Sequence, residues 1–72
     1  MERTQPTRVV LDSLSERYRS VLVLFELEEM TTEEIARTLD RPPATVRVWL
    51  HRARAQFTRR WLHDRRQLEV TR

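Results

Sequence analysis

Pro42 and Pro43 stand side by side near the middle of the chain, between two segments that otherwise favour helix. Each proline lacks a backbone N–H, and each pushes the residue before it away from the helical region. A single helix cannot run through them. On their N-terminal side, Thr31 and Glu34 have the spacing of a capping box, which opens a helix of about eight residues, Thr32 to Leu39. Ile35, Ala36 and Leu39 then share its inner face. Asp40, Arg41 and Pro42 form the turn. Pro43 fits the first turn of the next helix, where a missing N–H does no harm.

That next helix carries Val46, Leu50, Ala53, Phe57 and Trp61 at spacings of four, three, four and four. The spacing is that of a core-facing stripe, and the helix extends to about Arg66. Two helices joined by so short a turn make a helix-turn-helix, a unit that presents its second helix to the major groove of DNA. Such turns often need a residue with positive φ, and this chain has no Gly. Asp tolerates the left-handed region better than most residues, which points to Asp40.

The first half completes the fold. Residues 1–7 read as a flexible N-terminus. Arg8 to Leu14 is a short helix with Val10, Leu11 and Leu14 turned inward. Ser13 or Ser15 can cap the following helix, and Ser13 with Glu16 has capping-box spacing. That helix runs from Glu16 to Glu28, with Tyr18, Leu22 and Phe25 on its inner face and Val21 beside them. Val21 to Phe25 alone would pass for a buried strand, but its flanks are polar and helix-favouring. The expected architecture is all-α: four helices in one compact domain over residues 8–66, with residues 67–72 frayed.

A chain of 72 residues is one domain at most and buries only about 60% of the surface its unfolded form exposes. It has no Cys, so disulfides and thiolate metal sites are excluded. The two His, His51 and His63, have no third ligand at a useful spacing, so no metal and no cofactor is expected. No apolar run is long enough to span a membrane and no signal-peptide pattern is present, so the chain reads as cytoplasmic. The charge is polarised. Residues 26–40 hold six acidic groups and one Arg, a net of −5; residues 41–72 hold nine Arg and two acidic groups, a net of +7. All fourteen basic residues are Arg, whose planar fork matches phosphate and guanine edges. The missing Lys reflects coding composition, while the clustering of Arg points to nucleic acid.

On the last helix the outer face near the N-terminus comprises Ala44, Thr45, Arg47 and Val48, with His51 and Arg52 further along. These early outer positions reach base edges in a helix-turn-helix. Arg47 can take a guanine or a phosphate, and the methyls of Ala44, Thr45 or Val48 can meet a thymine methyl. Arg37, Arg41, Arg52 and Arg54 are placed to hold phosphates, which fixes position without reading sequence. Free N–H groups at the helix N-terminus can meet a phosphate as well. Trp49 lies off the stripe and is expected to pack sideways against the second helix, with stacking against DNA sugar or contact with a protein partner as the alternatives. Glu26, Glu28, Glu29, Glu33 and Glu34 form an acidic face that repels DNA and suits a basic protein surface. Trp61 is a core or partner-facing residue. No nucleophile, base or paired carboxylate lies at a productive spacing, so an enzyme is not expected.

The segments LSERYRSVLVLFELEEMTTEEIA, TLDRPPATVR and LHRARAQF, in that order, resemble region 4 of the extracytoplasmic-function sigma factors, of the sigma-70 class. The resemblance spans Val9 to Phe57 and rests chiefly on EEIA, ATVR and LHRAR. It implies a helix-turn-helix domain of the winged-helix-like DNA-binding type. It also implies recognition of the promoter −35 element, docking on the beta flap of RNA polymerase and masking by an anti-sigma factor. By position, the DNA-reading stretch of that family falls on Pro43, Ala44, Thr45, Arg47, Val48 and His51, with Arg52 and Arg54 at backbone-contacting positions. The chain departs from the family pattern at Asp40 and Ala44, where Gly is usual, and at Arg41, where a small or apolar residue is. It departs again at Val48 and Trp49, where a polar or basic pair is common. That last change removes polar readers and leaves room for a rival role as a protein-interaction module. The −10-binding part of a sigma factor is not in the sequence, so the chain is read as a C-terminal domain cut from a larger factor, with a small stand-alone relative as the alternative.

Overall fold

The computed structural model describes the backbone of residues 6–70 and the side chains of residues 7–63. Of the flexible ends expected at residues 1–7 and 67–72, residues 1–5 and 71–72 lie outside the described residues, while Pro6 and Thr7 open the first helix and residues 67–70 continue the last one. Four helices follow in order: α1 (Pro6–Ser13), α2 (Glu16–Leu22), α3 (Thr32–Leu39) and α4 (Pro43–Val70). No strand occurs among the described residues, so Val21 to Phe25 is helical.

The helix starts are set by local hydrogen bonds. Ser15, not Ser13, caps α2: its hydroxyl accepts from the Tyr18 N–H at 3.3 Å. Ser13 instead donates its hydroxyl to the Val10 carbonyl at 2.6 Å, so the Ser13–Glu16 box does not form. At α3 the expected box is complete. Thr31 Oγ1 accepts from the Glu34 N–H at 3.1 Å, and Glu34 Oε1 accepts from the Thr31 N–H at 2.8 Å. Each capping bond satisfies a donor that the first helical turn leaves without a partner.

The second helix reaches its expected end by an unexpected route. From Val23 to Leu27 it continues as a π-helix, whose wider turn is shown by the Glu28 N–H donating to the Val23 carbonyl, five residues back, at 3.0 Å. Glu29 then takes φ 58°, and the Met30 N–H reaches the Leu24 carbonyl at 3.0 Å. The α3–α4 turn has Asp40 at φ 58° and ψ 50°. The Arg41 N–H donates to the Ala36 carbonyl at 2.9 Å and the Asp40 N–H to the Arg37 carbonyl at 3.4 Å. Together these are a Schellman closure with Asp where Gly is usual.

Leu14, Val21, Leu22, Ile35, Ala36, Val46, Leu50 and Ala53 form the buried core, and Val10 is fully buried as well. Leu11, Tyr18, Phe25, Leu39 and Phe57 pack against it, half-buried. α4 is the common wall: α1, α2 and α3 all lie against it. It runs to Val70, four residues beyond the end expected from the apolar stripe. A helix of 28 residues is about 42 Å long at 1.5 Å per residue. Its length therefore sets the 45 Å long axis of the molecule.

Candidate nucleic-acid interface

The Schellman turn fixes α3 against α4 and leaves the start of α4 at the surface. Pro42 and Pro43 have no N–H, so the first backbone donors at this end belong to Ala44 and Thr45. The Val46 N–H is already taken by the Pro42 carbonyl at 3.2 Å. Inward, Val46, Leu50 and Ala53 hold the helix to the core. Outward, Pro43, Ala44, Arg47, Val48, His51 and Arg52 are exposed, while Thr45 is half-buried. Val48 keeps 44% of its surface accessible. An apolar side chain so placed, between Arg47 and His51 on the outer face, is free for contact with a partner.

The two flanks of α4 differ in charge. On one flank, Arg47 Nη2 lies 3.6 Å from Glu33 Oε2 of α3. Two turns further along the same flank, Arg54 donates to Glu26 Oε2 from Nε at 3.0 Å and from Nη2 at 2.6 Å. The same guanidinium sits 5.1 Å from the centre of the Phe25 ring. On the other flank, Trp49 is half-buried against the core, as expected for sideways packing. The Arg17 guanidinium of α2 lies over its ring at 4.6 Å, and that of Arg41 lies at 5.9 Å. Arg37 and Arg41 share an open notch at the turn with Glu33 and Asp40.

The acidic face is largely engaged within the molecule. Glu26 holds Arg54, Glu33 holds Arg47, and Glu34 closes the capping box. Thr32 also donates its hydroxyl to Glu33 at 3.2 Å. Glu28 and Glu29 are exposed at the end of the π-turn. Trp61 is half-buried and stacks on Phe57 one turn earlier, with ring centres 6.3 Å apart and planes 11° from parallel. Sequence reasoning missed Arg17 altogether. It sits among polar residues in the first turn of α2, and only the fold brings it to Trp49, thirty-two positions on.

The sequence matches the family described as sigma-70, region 4, over residues 5–57. The match covers the three shorter helices, the turn and the first half of α4. The chain belongs to the sigma-70 region 4 family. Region 4 is a DNA-binding, transcription-initiation domain that in general binds −35 promoter DNA and interacts with RNA polymerase, and it is not an enzyme family. No curated protein and no solved structure matches the chain. The region 4 match ends at Phe57, so the rest of α4 lies outside the matched residues. No helix among the described residues is long and apolar enough to cross a membrane.

Proposed function

We propose that this region 4 domain is that of a bacterial extracytoplasmic-function sigma factor and reads a promoter −35 element by laying the start of α4 in the major groove. The observation that carries the reading is the exposed outer face of α4 immediately after the Schellman turn, in a chain of the region 4 family. In this reading Pro43, Ala44, Thr45, Arg47, Val48 and His51 face base edges. Ala44 and Val48 offer methyls to thymine, and Arg47 offers its fork to guanine. Arg37, Arg41 and Arg52 take phosphates. Arg54, held by Glu26, serves the fold first. The domain works in the cytoplasm with RNA polymerase.

The polymerase contact falls, in the same proposal, on an apolar groove of about 350 Å³ between α1, the π-turn and α4, lined by Leu11, Leu22, Val23, Leu27 and Phe57 among others. Leu27 at its rim is 65% exposed. We assign this groove to the beta flap. An anti-sigma factor that covered it would block polymerase without touching the DNA face.

A second reading makes the chain chiefly a protein-interaction module. What favours it is that Arg47 and Arg54 already have carboxylate partners, which leaves fewer cations for DNA. An amide-shift titration with a promoter duplex at two salt concentrations, repeated with a flap fragment, separates the two. Shifts centred on Ala44 to Arg52 that persist at the higher salt support base reading. Shifts spread over every Arg and lost with salt indicate charge attraction alone. Silence with DNA and saturable shifts with the flap fragment favour the second reading.

A further inference from the structure

Arginines lie along both flanks of α4 but are held there differently. Arg47 and Arg54 face Glu33 and Glu26. Among the described residues, Arg17 and Arg41 have no carboxylate within salt-bridge distance. They meet instead on the indole of Trp49, at 4.6 and 5.9 Å. They line an open cleft of about 770 Å³ that also takes in Tyr18, Gln56 and Arg60, with Glu16 as the one carboxylate on its wall. Arg60 is anchored there, donating to the Ser13 carbonyl and, at 3.1 Å, to the Ser13 hydroxyl.

Resting on the reading of α4 as a groove-binding helix, we propose that Arg17, Trp49 and Arg41 form a DNA phosphate clamp on this flank, with Trp49 as its platform. A guanidinium held over an aromatic ring is attracted by the ring's negative face rather than by a carboxylate. No anion of the chain then takes up its five N–H donors, which stay available to a phosphate. Trp49 thus holds two cations near each other without neutralising either one. A carboxylate in its place would fix them but cancel their charge, as Glu26 does for Arg54. The cleft is too open to enclose a small ligand and suits a backbone passing across it. It also lies beside the start of α4, where a duplex lodged against Ala44, Val48 and His51 would bring one strand past the turn.

The test is binding of the 72-residue chain to a cognate and a scrambled duplex across a salt series. Arg17→Gln should weaken both by about tenfold, the loss expected for one charge-assisted hydrogen bond, and flatten the log–log salt slope by about 0.9, or one phosphate. Arg8→Gln removes the same charge from α1, outside the cleft, and should change the slope by much less. Trp49→Phe keeps a ring and should stay near wild type. Trp49→Leu should weaken binding and shrink the further effect of Arg17→Gln, because the Arg17 guanidinium is then no longer held in place. A slope change for Arg17→Gln equal to that for Arg8→Gln overturns the clamp while leaving groove binding by α4 intact. An unchanged clamp effect with no amide shifts over Ala44 to His51 would instead overturn the reading of α4. Saturable shifts of the Trp49 indole N–H with a polyglutamate peptide, and none with duplex, would assign the cleft to an acidic protein segment and sink the proposal.

Discussion

Arg54 reaches across from α4 to grip one oxygen of Glu26 with two of its nitrogens, at 2.6 and 3.0 Å, while its guanidinium covers Phe25. The pair joins residues 28 apart in sequence and ties the π-turn to the long helix. Both side chains remain about half exposed, so water screens the charge and the pair is worth about 0.5–1 kcal/mol. Arg54→Ala should therefore lower stability by about 1 kcal/mol once lost contact with Phe25 is included. Duplex affinity should fall by less than about twofold, the cost of one long-range charge. Denaturant melts and a duplex titration of the same variant check both halves. A large, sequence-independent loss of DNA affinity would return Arg54 to the phosphate contacts its position in the sequence implies.

Arg47 tells the opposite story. Its partner Glu33 is 3.6 Å away and both side chains are more than half exposed, so the bond is weak and easily exchanged for DNA. Arg47→Ala should cost about 1–3 kcal/mol on a cognate −35 duplex and relax the preference at one base pair. Glu33→Gln should act in the other direction, tightening binding by freeing Arg47 and removing a charge that repels phosphate. Equal losses on cognate and scrambled duplexes for Arg47→Ala would reduce it to a phosphate contact.

Sequence patterning captured what depends on local chemistry. The Thr31–Glu34 box, the span of α3, the Asp40 turn and the buried triplet Val46, Leu50 and Ala53 all follow from neighbours within a few residues. The Ser13–Glu16 box failed because two serines competed, and the bond from Ser13 to the Val10 carbonyl decided between them. The π-turn had no visible signal: VLFEL would suit an ordinary helix equally well. Glu29 at positive φ was hidden for the same reason, since nothing in the residue type favours that conformation. The contact of Arg17 with the Trp49 ring and the grip of Arg54 on Glu26 depend on how the helices cross. Periodicity reveals the inner face of a helix but not which polar side chains meet across it.

Asp40 occupies the left-handed position that closes α3, where Gly carries no steric penalty. Its carboxylate also sits at the negative end of the α3 dipole. Asp40→Gly removes both costs but adds freedom to the unfolded chain. The net expectation is a gain of about 0.5 kcal/mol or slightly more. Asp40→Val, branched at Cβ, should lose more than about 1 kcal/mol. Thermal melts of the two variants should bracket the wild type, and an Asp40→Val protein as stable as wild type would contradict the Schellman geometry.

Leu27 separates stability from partner binding. It lies on the π-turn at the rim of the apolar groove with 65% of its surface in water, so little burial is lost when it is replaced. Leu27→Asp should change folding stability by no more than about 0.5 kcal/mol, as for other surface positions. It places a charge where a polymerase flap helix would have to bury it, and an uncompensated charge in an apolar contact is costly. Affinity for a flap fragment should fall by tenfold or more, on the order of 1.4 kcal/mol. Affinity for a promoter duplex should barely move, because α4 presents its outer face on another side of the molecule. Leu22→Ala is no substitute for this test, since Leu22 is only 5% exposed and its truncation would cost about 2–5 kcal/mol of stability. If Leu27→Asp binds the flap fragment as tightly as wild type, the groove is not the polymerase surface. If it loses DNA affinity instead, the faces assigned here to DNA and to polymerase must be exchanged.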